Sequence, residues 1–168
     1  MALTSTRLAF QIALSHVDRA ITLDQQVIVA QHPSETTEHL ILRVLAWCLL
    51  HEERLEFGRG LSDPDEPDLS VKDLTGEVTA WIECGSATDE KLQHVLHHTR
   101  AQLHFLLTDP RKRSTIENDR FHQWLIDTQL VRELAMNEAR RQKWTVTIVG
   151  DQFYIEVDGK SVDGAITR

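Results

Sequence analysis

Over residues 6–16 the chain alternates, with Leu8, Phe10, Ile12 and Leu14 on one side and Ala9, Gln11 and Ala13 on the other. That period of two predicts a half-buried strand over 6–16. Val17-Asp18-Arg19 breaks it, and Val27-Ile28-Val29 centres a second strand over 26–31, so the chain opens on a hairpin that His32-Pro33 ends. The period then lengthens. Leu40, Ile41, Val44, Leu45, Cys48 and Leu55 recur at three- and four-residue steps, which predicts a core helix reaching about residue 55. Ser34 is its expected N-cap, with Glu35 and Glu38 at the positive end of the helix dipole.

Gly58 to Asp68 holds two Gly, two Pro and a cluster of acids and predicts a loop. Glu77 to Glu83 alternates between Gly76 and Gly85, as a strand between turns does. Thr88 caps a second helix whose expected buried face is Leu92, Val95, Leu96 and Leu103. Residues 104–107 and 121–126 read as short strands, with Asp127 or Thr128 starting a helix to about Gln142; a single helix over 119–142 competes. Trp144 to Val149, a Gly150-Asp151 turn and Phe153 to Val157 predict a closing hairpin. Strands mixed with helices give a mixed α/β fold with a β-hairpin at each end, in one domain over 1–168.

Composition narrows the class. Cys48 and Cys84 each sit in an apolar run, where a buried thiol in a reducing compartment is expected, not a disulfide framework. The longest apolar run, around Leu40 to Leu50, is broken by Arg43 and too short to span a bilayer, so a soluble, cytoplasmic protein is expected. The net charge of −8 disfavours a broad nonspecific nucleic-acid surface, which needs Lys and Arg to displace phosphate counterions. A local contact stays open, because Arg111-Lys112-Arg113 and Arg140-Arg141 with Lys143 form small basic groups.

The candidate chemistry is carboxylate chemistry. Asp63, Asp65, Glu66, Asp68, Asp73, Glu77 and Glu83 fall around a Gly76 turn that folds one stretch back beside the next. Two such carboxylates suit Mg²⁺ or Mn²⁺, which take hard oxygen ligands and keep several waters; a solvated acidic loop is the plainer explanation. His94 and His98 have a chelating one-turn spacing, but no acid stands between them, so surface histidines account for them better than a zinc site. His32 and Ser34 lack a nucleophile elbow.

Three ordered segments add a resemblance: His32-Pro33-Ser34-Glu35-Thr36 with Glu38; Glu53-Arg54-Leu55 through Phe57 and Gly60-Leu61 to Asp65-Glu66-Pro67; and Asp73 through Trp81-Ile82-Glu83 to Gly85. Together they resemble the YaeQ family over most of the chain. That family is similar in its core to PD-(D/E)xK nucleases, which implies a restriction-endonuclease-like mixed sheet flanked by helices. The resemblance implies Asp73 as the first metal-binding acid and Glu83 as the acid of the acid-x-Lys element, with the Cys84 carbonyl as a third metal ligand. Glu38 is the expected helix carboxylate, with Glu35 as its alternative. Gly85 stands where that element has its lysine, so Lys91 or His94 on the next helix is expected to serve the water. Two functions follow: an Mg²⁺- or Mn²⁺-dependent phosphodiester hydrolase acting on nucleic acid, or a non-catalytic relative that binds nucleic acid, nucleotide or a protein partner.

Overall fold

A computed structural model describes residues 4–59 and 65–168. Asp63 and the Gly60-Leu61 pair, along with part of the predicted 58–68 loop, lie outside the described residues. The architecture is mixed α+β: a nearly closed ten-stranded sheet with three helices, in the order β2-β1-β8-β9-β10-β7-β6-β5-β4-β3.

The N-terminal hairpin is β1 (Thr6–His16) with β2 (Ile21–Gln31), paired over eleven positions. β2 starts well before residue 26 because Ala20 adopts a left-handed conformation, φ 52°, and turns the chain back at once. Helix α1 (Thr37–Leu49) is capped by Thr36, whose hydroxyl accepts from His39 N at 3.1 Å. Ser34 does not cap it. His32 to Glu35 form a preceding turn closed by the Glu35 N–H donating to His32 O. The helix stops at Leu49, and Arg54 with φ 70° swings the chain into β3 (Leu55–Phe57), so Leu55 is a strand residue.

β4 (Leu69–Lys72), β5 (Val78–Cys84), β6 (Gln102–Leu107) and β7 (Phe121–Ile126) extend the sheet, with β5, β6 and β7 mutually parallel. The parallel order needs a crossover, and α2 (Asp89–His98), capped by Thr88 as expected, supplies it. α2 ends at His98, which puts Leu103 in β6, although both pack in one apolar cluster. α3 (Thr128–Ala135) starts at Asp127, whose carboxylate accepts from Gln129 N and Leu130 N. It stops seven residues short of Gln142 because the chain is by then entering β8 (Arg141–Val149). β9 (Gln152–Val157) completes the expected hairpin, and β10 (Lys160–Thr167) bridges it to β7.

The sheet curls around α1. Every residue from Leu40 to Leu49 is buried, so the helix is apolar on all sides and fills the concavity against Phe10, Ile12, Ile82, Leu106 and Trp144. α2 covers the outer face of β5 to β7, where Leu92, Val95 and Leu96 meet Leu103, Phe105, Leu107 and Trp81. Alternation along β5 thus divides its side chains: Ala80, Ile82 and Cys84 face α1, and Trp81 and Glu83 face α2. Among the described residues no helix is long and apolar enough to cross a membrane.

Candidate functional site

At the N-terminal end of α1 four ionisable groups converge. Glu35, His39 and Arg43 fall at four-residue steps and so share one side of the helix and its preceding turn. Arg43 is fully buried; its guanidinium donates to Glu35 Oε1 at 3.1 Å and Oε2 at 3.3 Å, to Ala30 O at 3.2 Å and to Gly58 O at 3.1 Å. A buried guanidinium is tolerated only with such partners. His39 Nδ1 lies 2.7 Å from Glu35 Oε1, and its Nε2 lies 3.1 Å from the Cys84 carbonyl and 3.7 Å from Asp68 Oδ2. Burial alone would lower the His39 pKa, but hydrogen bonds to Asp68 and Glu35 outweigh it and raise the group to about 9. His39 is therefore an imidazolium at neutral pH.

Asp68 immediately precedes β4. Its N–H donates to Ile82 O at 3.0 Å and its Oδ2 accepts from Cys84 N at 2.8 Å, while Leu69 pairs with Ile82. The register therefore sets Asp68 beside Glu83, and both are nearly fully buried. Glu83 accepts from Trp81 Nε1 at 2.8 Å and from Lys91 Nζ at 3.2 Å. Burial raises the Glu83 pKa; the Trp81 bond and Lys91 oppose that, and the Asp68 charge adds to it.

These placements revise the predicted acid pair. Asp73 sits in the exposed β4–β5 turn, where its Oδ1 accepts from Thr75 N, Thr75 Oγ1 and Glu77 N. Its N–H donates to Glu77 O, and Glu83 lies six residues further along β5, on the order of 20 Å at strand rise. Asp73 and Glu83 do not share a site; Asp68 takes the place beside Glu83. On α1 the exposed residue is Glu38, which lines an open cavity of about 390 Å³ with His39, Cys84 and Gly85, whereas the buried carboxylate is Glu35. Lys91 reaches Glu83, and His94 does not take part: it is exposed and stacks on His98 at 4.0 Å.

Gly85 has a steric reason. Its φ is +90°, and a Cβ there would lie 3.1 Å from the His39 ring, so a lysine at 85 would be strained in its backbone and crowded by its neighbour. Asp68, His39 and Arg43 were missed as site residues by composition and motif, and each had a signal. Pro67-Asp68 precedes the alternating Leu69 and Val71, and Glu35, His39 and Arg43 keep a four-residue spacing.

The family model for the YaeQ protein matches residues 1–166. The chain belongs to the YaeQ family. It is 38% identical over 93 residues to "Uncharacterized protein YaeQ" of Salmonella typhi and 37% identical over 93 residues to the Escherichia coli (strain K12) protein of the same name, covering 55% of this chain in each case. The chain spans about half the length of these curated relatives, 51%. Among solved structures it resembles the YaeQ protein of Xanthomonas axonopodis pv. citri at 28% identity and TM-score 0.87, covering 97% of both chains. The Pseudomonas syringae YaeQ protein is similar at 29% identity and TM-score 0.88, over 96% of this chain and 94% of that one.

Proposed function

We propose that this YaeQ-family chain is a metal-dependent phosphodiester hydrolase acting on nucleic acid, with a variant PD-(D/E)xK core in which Asp68 and Glu83 form the acid pair. The observation that carries the reading is the Glu83–Lys91 pair at 3.2 Å beside a second buried carboxylate, Asp68, at the carboxyl end of a parallel strand. Open α/β sheets place their ligands at such strand ends. The oxygens of Asp68 and Glu83, with the Cys84 carbonyl, are the groups that would hold Mg²⁺ or Mn²⁺. Among the described residues no three His, Cys, Asp or Glu side chains cluster as a metal cage. Mg²⁺ uses one or two carboxylates and completes its shell with water and substrate phosphate. Held by these groups, such an ion would supply Lewis acidity toward the phosphoryl group and a more acidic water.

The chain's own residues have distinct parts. Lys91 brings from α2 the ammonium that the acid-x-Lys element carries two residues after its acid, and holds Glu83 against the penalty of burial. Glu35 and Arg43 fix His39, and His39 fixes the Cys84 carbonyl and faces Asp68. The cavity of about 390 Å³ over Cys84 and Gly85 is edged by Lys112, a cation positioned for a phosphate.

A Mg²⁺/Mn²⁺ nuclease assay on single- and double-stranded DNA and RNA tests this. Lys91→Ala and Glu83→Gln should each lower the cleavage rate by about 100-fold or more, and Asp73→Ala should leave it unchanged. Cleavage that survives Glu83→Gln would refute the site.

The second reading is a non-catalytic relative that binds nucleic acid, nucleotide or a protein partner. It is favoured by the fact that Asp68 and Glu83 already have partners in Cys84 N, Trp81 and Lys91. Absence of cleavage on every substrate, with binding retained, would establish it.

A further inference from the structure

The opposite mouth of the curled sheet, at the C-terminal end of α1, holds a cavity of about 470 Å³ that shares none of the residues discussed above as candidate ligands. Its volume suits a small organic ligand. The inner wall is apolar and aromatic, made by Leu49, Ala80, Ile82, Ile166 and the Trp124 ring. Two imidazoles interrupt it. His16 is only 6% exposed and lines the cavity, yet its Nδ1 has no hydrogen-bond partner. An unpartnered nitrogen so deep in the fold is costly unless a ligand atom meets it. His104 Nδ1 accepts from Trp124 Nε1 at 3.2 Å, which leaves its Nε2 carrying the proton as a donor.

The rim is charged. Arg168 lies over the Trp124 ring at 4.7 Å, and Arg19 donates to Leu49 O at 3.1 Å from the other side. Of the acids there, Asp18 is bound by Gly150 N–H, while Glu52 and Asp151 sit in solvent at the edge. The inner part of the site therefore offers a ring face, one imidazole donor on His104 and one unpartnered nitrogen on His16. The lowered basicity of His16 and His104 is consistent with that: burial is the largest cause in both, and the Arg19 charge adds to it.

We infer that this cavity binds a flat aromatic anion, with its ring against the Trp124 indole, a polar atom at His16 Nδ1, an acceptor on His104 Nε2, and its negative group on Arg19 and Arg168. A ring stacked against the indole gains dispersion and quadrupole attraction, and the neighbouring guanidinium adds cation–π attraction at its edge. The guanidinium fork suits a carboxylate or phosphate equally.

NMR titration of the full chain with adenosine 5′-monophosphate, indole-3-acetate, adenosine and inorganic phosphate separates the contributions. Either aromatic anion should shift the Trp124 indole N–H and the His104 ring signals, leaving those of Trp47, Trp81 and Trp144 in place. Arg168 is exposed, so Arg168→Ala and Arg168→Glu keep the fold. The first should weaken binding about tenfold and the second further. His16→Gln should weaken binding without moving the Arg168 contribution. The inference is overturned if neither aromatic anion shifts Trp124, if phosphate alone acts as strongly, if the shifts fall at Glu83 and Lys91 instead, or if Arg168→Glu binds as the native chain does.

Discussion

The two ends of α1 treat buried polarity in opposite ways. At the N-terminal end Glu35, His39, Arg43 and Asp68 form a network of alternating charge in which the buried polar atoms are partnered, Arg43 Nε excepted. At the C-terminal end the imidazoles of His16 and His51 each leave Nδ1 without a partner, and His104 is held neutral, its pKa lowered to about 4 chiefly by burial. One end retains a proton on its histidine and the other refuses one. A satisfied network rigidifies a core, whereas unpaired nitrogens beside a cavity leave binding capacity unused. The difference between a scaffold for carboxylates and a receptor for a ligand is thus written in hydrogen-bond accounting.

The most severe way to break the contrast is Arg43→Ala. It strands Glu35 in the interior, so chemical denaturation should show a loss of about 3–5 kcal/mol. Next in size is the alkaline limb of stability. His39 is raised from 6.5 to about 9 on folding, so its contribution is complete below pH 6.5 and is lost as pH rises through 9. The amplitude is on the order of 2–3 kcal/mol, and His39→Gln should flatten that limb in urea titrations at stepped pH. The acid limb belongs to the other end. His104 is lowered from 6.5 to about 4, so the unfolded chain binds the extra proton and stability falls as pH drops from 6.5 toward 4. His104→Gln should reduce that fall by a comparable amount, since the two shifts are of similar size and opposite sign. The smallest effect belongs to Asp73→Ala, which removes three turn hydrogen bonds from an exposed loop. A slight drop in Tm is expected, with the Glu83–Lys91 pair unchanged in carboxylate NMR; a change there would mean that the turn reports on the acid pair.

Much of the fold was legible because period and caps agree. Residues 6–16 alternate and form β1, and Thr88 and Asp127 cap the helices they were expected to cap. The failures come where tertiary contacts override the local pattern. Leu55 continues the helical stripe in sequence, but Arg54 in the left-handed region ends that continuity. β10 carries little apolar signal and was missed, because its role is to pass under α3: a Cβ on Gly164 would lie 2.7 Å from Leu130 Cβ. In the candidate site Glu83 and Lys91 were legible as neighbours across a strand and a helix. Asp68 was not, since composition could not tell a carboxylate register-paired with β5 from its solvated neighbours.

One feature of the sheet bears on how the chain is made. β1 pairs in parallel with β8, residues 9–16 against residues 141–148, so the N-terminal hairpin meets its partner strand only after β3 to β7 and all three α-helices have been synthesised. Until then its inner edge is an open row of backbone donors and acceptors, and α1 lacks one wall of its enclosure. Such long-range pairing slows folding and exposes the nascent hairpin to association with other chains. The growing chain therefore carries its first seven strands before this closure can be made, and β8 is the strand that makes it.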